Sequence, residues 1–118
     1  MFKIPQNDKK YEWTHHAIAK MGHYRLVPSL VKRIIRFPHR TEEGIAPGTT
    51  AVMQKARTKR AQEFWVMYRK LESRIRNQEL GSGKLRIISA WRYPGVSPLG
   101  KEIPIPEEIR RELEAGDF

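Results

Sequence analysis

Four histidines and two dense runs of cations are the residues of this chain whose types and spacing could do chemistry. His15 and His16 stand where a first helix is expected to begin, His23 at its end, and His39 just after a second helix. An imidazole titrates near neutrality, so a histidine at a helix start can serve as a general acid or base. The commoner role of any one of them is a solvated or hydrogen-bonding surface side chain. No pair has the HExxH arrangement and no carboxylate sits at a metal-ligand offset, so neither a metal centre nor any other cofactor is expected. Cysteine is absent, which excludes disulfides, thiolate catalysis and cysteine-built zinc sites. No glycine-rich phosphate loop or paired-carboxylate motif stands out.

The cations are the stronger signal. Lys55, Arg57, Lys59, Arg60, Arg69, Lys70, Arg74 and Arg76 follow one another with only Glu63 and Glu72 opposing them. Lys32, Arg33 and Arg36 lie on the second expected helix, and Arg40 follows. Over the whole chain 23 Lys and Arg face 13 Asp and Glu, a formal charge of +10. Such density displaces counterions from a phosphate backbone and drives binding that is indifferent to sequence. Arginine predominates, and its planar fork suits phosphates and can stack on bases. Tyr68, Trp91 and Tyr93 stand among the basic strands and could stack unpaired bases. Packing is the alternative use of these rings. It is the expected one for Phe64 and Val66, and for Tyr93 both readings stay open. Nucleic acid is the favoured partner; an anionic membrane surface or an acidic protein would also answer to the charge. No apolar run approaches the roughly 18 residues of a membrane span, and the first residues lack a signal-peptide core. No membrane association by a span is therefore expected, and the cytoplasm is the expected location.

The elements that must position these groups can be read from capping and periodicity. At 118 residues the chain suits a single domain, 1–118, with an N-terminal arm over 1–13 and a C-terminal extension with its helix over 96–118. The arm could also be an edge segment of the sheet. Thr14 caps a first helix running to about His23, with Ala17, Ile18 and Met21 on one face and an exit beginning at Gly22. Pro28 opens a second helix whose stripe is Leu30, Val31, Ile34 and Ile35, and Pro38 stops it. A short strand and turn over RTEEGIAPGTT precede three strand-like runs: Thr50 to about Lys55, EFWVMYRKL, and KLRIISAWRY. KARTKR and NQELGSGK connect them. An extended proline-punctuated tail leads to a short helix from Pro106, docked by Ile109 and Leu113. The fold class expected is α+β: two N-terminal helices on one face of a three- to four-stranded antiparallel sheet, with a short C-terminal helix.

Within that order HHAIAKM, YRLVP and LVKRIIRFPHRTEEG resemble the opening of the BrnT-type ribonuclease toxins and related small His-Ala-x-x-x-Met domains. RIISAWR, Arg86 to Arg92, is similar to a late strand of the same toxins. Together these stretches cover roughly half the chain. The resemblance implies a RelE/ParE-like fold and metal-independent endoribonuclease activity on messenger RNA, free or ribosome-associated, held in check by an acidic antitoxin. Carried over by position, His16 would be the proton-transfer group, Arg86 and Arg92 phosphate clamps, and Ser89 a hydrogen-bonding aid. Arg86 and Arg92, six apart on a strand, should share a face with Ile88 and Ala90, and Ser89 should point the other way unless the strand is bulged. The connections over 55–62 and 71–83 and the tail from Val96 depart from the toxin pattern. Three functions therefore compete: an RNA-cleaving toxin, a non-catalytic nucleic-acid-binding module on the same scaffold, and a small protein that binds an acidic partner. The residues expected to touch nucleic acid are Lys32, Arg33, Arg36, Lys55, Arg57, Lys59, Arg60, Arg69, Lys70 and Tyr93.

Overall fold

The structure, a computed structural model, describes residues 4–71 and 83–116. Arg74, Arg76 and most of the NQELGSGK connection lie outside the described residues. The fold is α+β, in the order β1 (Tyr11–Trp13), α1 (His15–Tyr24), α2 (Pro28–Arg36), β2 (Arg40–Glu43), β3 (Thr50–Lys55), β4 (Gln62–Leu71), β5 (Lys84–Pro94) and α3 (Glu107–Glu114). The sheet runs β1-β5-β4-β3-β2. It has five described strands, more than the three or four expected. It is also mixed: β1 pairs with β5 in parallel, Tyr11 opposite Leu85 and Trp13 opposite Ile87, and the other pairs are antiparallel. The extra strand comes from the arm. Its alternating burial places Tyr11 and Trp13 in the core, and three residues are too few for periodicity to announce a strand.

The sheet is covered on both sides. One core holds Ala17, Met21, Leu26, Val31 and Ile34 of the first two helices and the turn between them against Val52, Val66, Ile87 and Ala90. The other holds Ile103, Ile109 and Leu113 of the tail and α3 against Met53, Trp65, Met67, Ile88 and Trp91. α3 therefore sits opposite the other helices, where a single helical layer was expected. Two apolar faces explain this: β4 is buried through Val66 on one side and through Trp65 and Met67 on the other, and a sheet apolar on both faces needs two covers. Trp65 and Trp91 stack at 6.0 Å with planes 4° apart, and Trp91 Nε1 donates to the Pro104 carbonyl at 2.9 Å, pinning the tail.

Thr14 caps α1 as expected, accepting from the Ala17 amide at 3.0 Å, and its hydroxyl donates to the Ile87 carbonyl at 2.9 Å. The helix does not leave at Gly22. It runs on to Tyr24, and Arg25 takes the left-handed conformation at φ 58°. The Arg25 amide bonds Gly22 O and the Leu26 amide bonds Met21 O, a Schellman closure with Leu26 buried beneath it. α2 begins at Pro28 and ends before Pro38 as its sequence dictates, with Val31 and Ile34 fully buried.

Candidate nucleic-acid interface

The end of α2 and the β3–β4 hairpin meet on one side of the molecule. Phe37 is the residue before a proline, so its backbone is driven out of the helix, and it ends α2 at φ −130°, ψ 62°. Its ring cannot continue the buried stripe and stands 62 % exposed. Gln54, buried on β3, holds this helix end in place: its Nε2 donates to the Phe37 carbonyl at 2.8 Å and the Arg33 carbonyl at 3.3 Å, and its Oε1 accepts from Arg33 Nε at 3.4 Å. The Lys55 amide donates to His39 Nδ1 at 2.9 Å. These bonds frame a cleft of about 470 Å³ lined by Arg33, Phe37, His39, Gln54, Lys55, Ala56, Arg57 and Phe64. A smaller depression of about 260 Å³ continues from Arg33 and Phe37 to Lys32 and Arg36.

The cations of α2 and those of the hairpin, distant in sequence, thus border one surface. Arg33, Arg36, Lys55, Arg57, Lys59 and Arg60 are exposed, and among the described residues none of them is ion-paired to a carboxylate. Glu63, the acid expected to oppose the hairpin cations, does not do so. It is buried at 1 % exposure on the other face of β4, where its carboxylate accepts from Trp65 Nε1 at 3.0 Å, the Ser97 amide at 3.0 Å and Ser97 Oγ at 2.7 Å. Arg40 joins this buried group: it donates to Ser97 Oγ at 2.7 Å and to Glu42 Oε2 at 2.6 Å, and lies over the Trp65 ring.

Of the expected contact residues, Arg69, Lys70 and Tyr93 lie elsewhere, and Lys32 borders only the smaller depression. Arg69 and Lys70 stand at the far end of β4, about 20 Å along the strand from Glu63 at ~3.3 Å per residue, and Arg69 donates to the Pro47 carbonyl at 3.1 Å. Tyr93 packs half-buried against the tail-side core, on the other face of the sheet from the cleft. Lys32 is half-buried with its ammonium 5.2 Å from the Tyr11 ring centre.

The four residues carried over as catalytic divide. His16 Nε2 lies 2.9 Å from Ser89 Oγ, and His16 Nδ1 lies 3.9 Å from Glu112 Oε1 of α3. This is a hydroxyl–imidazole–carboxylate row, and it is closed: Ser89 is fully buried and His16 only 7 % exposed. The two arginines do not share a face. The β4–β5 register shifts between Met67 and Tyr68, which face Ser89 and Ile87 and leave Ile88 as the extra residue. A bulge of this kind reverses the phase of the alternation. Arg86 and Ser89 consequently lie on the α3 side, and Arg92 on the α2 side, over the Phe64 ring at 4.8 Å. Ile88 and Ala90 are separated likewise, into different cores. Arg86 is paired with Glu12. Arg92 closes α1, donating to the Tyr24 carbonyl at 2.7 Å and to Gln62 Oε1 at 3.1 Å. Burial, with the Arg25 charge nearby, lowers its pKa from the ordinary arginine value.

Around this junction Lys20 bridges α1 to Glu112 at 2.9 Å and Glu108 at 3.4 Å. Burial disfavours the Lys20 charge, and the two carboxylates outweigh it, so its pKa is raised. Burial pushes the Tyr24 hydroxyl up to about 12, aided by its bond to Glu108.

Sequence reasoning missed Phe37, His39 and Gln54 as lining residues and Glu63 as a buried group. One signal was available: no Asp or Glu occurs between Glu12 and Glu42, nor between Glu43 and Glu63, so α1, α2 and the hairpin bring no acid of their own to this side. Among the described residues no three His, Asp or Glu side chains converge as a metal ion would need, and no helix is long and apolar enough to cross a membrane. Compared with protein families, curated proteins and solved structures, the chain matches none.

Proposed function

We propose that the chain is an RNA-binding protein that grips its ligand across the end of α2 and the β3–β4 hairpin. The observation that carries this reading is that Arg33 of α2 and Lys55 and Arg57 of the hairpin line one cleft, with Arg36 in the depression beside it and Lys59 and Arg60 further along the hairpin, all exposed and without a pairing carboxylate among the described residues. Uncompensated cations at this density repel one another, a cost that is recovered when a polyanion is bound. Affinity for labelled RNA should fall steeply with salt. Replacing Arg57, Lys59 and Arg60 together by Glu should weaken binding by about 10²-fold or more at low salt, for all sequences alike, and flatten the salt slope by about two. These side chains are exposed, so the melting temperature should be unchanged. No binding to any RNA at low salt, or equal binding by the reversed variant, defeats the reading. Tighter binding to an acidic polypeptide than to RNA would favour a protein partner instead.

A second reading is favoured by the 2.9 Å contact between His16 and Ser89. It makes the chain a RelE/ParE-like, BrnT-like toxin of the cytoplasm, a metal-independent endoribonuclease whose antitoxin is a small acidic protein. His16 would move the proton as a ribose 2′-hydroxyl attacks the adjacent phosphate, which breaks the bond to the 5′-oxygen of the next nucleotide, leaves a 2′,3′-cyclic phosphate and returns the proton to the departing 5′-hydroxyl. The pair is covered by α3, so this reading also requires α3 to lift. Incubation of labelled RNA with the protein, with and without EDTA, tests it: cleavage that persists in EDTA and is lost in His16→Ala supports it, and intact RNA refutes it.

A further inference from the structure

We infer that the cleft between Phe37 and the hairpin holds one unpaired nucleotide, so that this face prefers single-stranded RNA, loops and ends to duplex. The inference rests on the RNA-binding reading and adds to it the class of RNA. A charged surface alone would bind any phosphate backbone, paired or not. This surface has in addition a concavity of about 470 Å³, within the roughly 300–1,000 Å³ that small-ligand sites occupy.

Its walls are of two chemistries. Phe37 offers an exposed ring at the mouth and Phe64 a half-buried ring within, the latter covered by the Arg92 guanidinium at 4.8 Å. Exposing a ring to water at a helix end gains the fold nothing, and an exposed ring among cations is what stacks an unpaired base. Arg33, Lys55 and Arg57 supply the charge beside the rings. Arg33 is held through Nε by Gln54 at 3.4 Å, which leaves the outer two nitrogens of its fork for a phosphate. His39 Nδ1 accepts the Lys55 amide at 2.9 Å. A backbone N–H can only donate, so a neutral His39 carries its proton on Nε2 and presents a donor suited to a base carbonyl or a phosphate oxygen. A paired base cannot enter such a cleft, because its face is taken by its neighbours in the stack and its edge by its partner strand.

The experiment compares a twelve-nucleotide single strand with the blunt duplex it forms with its complement, by fluorescence anisotropy at one ionic strength. The single strand should bind at least about tenfold more tightly. Phe37→Ala should lose about tenfold or more on the single strand, the loss of one stacked base. It should leave duplex affinity and both salt slopes unchanged. Phe37→Trp should retain the preference. Equal affinity for both RNAs, or a Phe37→Ala effect that is absent or the same on both, overturns the nucleotide site; in that case the Arg57, Lys59 and Arg60 reversal still weakening both RNAs leaves the RNA-binding reading standing. Failure of either RNA to bind at low salt overturns both.

Discussion

Two regions of this molecule gather its polar chemistry, and they are built in opposite ways. At the α1–β5–α3 junction the polar groups between the elements meet partners: Lys20 has Glu108 and Glu112, Arg86 has Glu12, Arg92 has the end of α1, and His16 has Ser89. At the α2–hairpin face the cations stand in solvent around an open cleft, and the nearest acid in sequence, Glu63, is turned through the sheet and buried. Paired and buried groups contribute to holding the fold together. Unpaired exposed ones contribute little to stability and remain available to a ligand. The contrast teaches that density of titratable residues does not mark a binding surface; what marks it is charge left without a partner.

The comparison predicts that changes on the closed side cost stability and changes on the open side cost binding. The largest effect is expected at Trp91, which is fully buried, stacked on Trp65 and bonded to the Pro104 carbonyl. Trp91→Ala should destabilise the fold by about 3–5 kcal/mol in a denaturant melt, since it removes an aromatic from the core and releases the tail that carries α3. RNA affinity measured well below the lowered midpoint should be unchanged. A variant that melts normally would show that the tail is not anchored through this ring.

His16→Ala comes next. It leaves the Ser89 hydroxyl buried without its imidazole partner, at a cost of about 1–3 kcal/mol. Ser89→Ala added to it should recover part of that loss, because the orphaned hydroxyl is then gone too. If the two substitutions add without recovery, the contact is incidental. Neither should alter RNA affinity if binding belongs to the other region.

How far the two regions could be read in advance differs for physical reasons. Helix boundaries were legible because Thr14, Pro28 and Pro38 act locally, and β3, β4 and β5 because β-branched and aromatic residues gather between turn residues. The exit of α1 was misplaced because Arg25 takes a left-handed turn that glycine usually supplies, at a point where Arg92, far along the chain, satisfies the helix end. The side-by-side placement of Arg86 and Arg92 failed through a single residue, Ile88, whose extra step in β5 depends on its pairing with β4 and leaves no mark in the composition of RIISAWR. The layer of α3 was not legible either, since Ile109 and Leu113 say that the helix docks but not on which face. Of the interface, the cations were visible as runs. Their convergence was not, because it depends on α2 packing against β3.

The smallest effect concerns pH, and it separates the regions by titration rather than by mutation. Across the α1–α3 contact the Glu108 carboxyl feels some burial, which would raise its pKa. The Tyr24 hydroxyl and the Lys20 ammonium outweigh that, so it lies below the ordinary carboxylate value. A carboxyl whose pKa is lower in the folded state stabilises the fold above its unfolded value of 4.5, and this contribution disappears as pH falls through the lower folded value. Lys20, raised above 10.5, gives the mirror behaviour: its contribution is complete below that value and is lost as pH rises through the higher folded one. The melting temperature should therefore drop at both limits, and Glu108→Gln should flatten the acid limb. Glu108 is about half exposed, so solvent screening holds the effect to less than about 1 kcal/mol, a shift of a few degrees. An acid limb of full size in Glu108→Gln would assign it to carboxylates elsewhere.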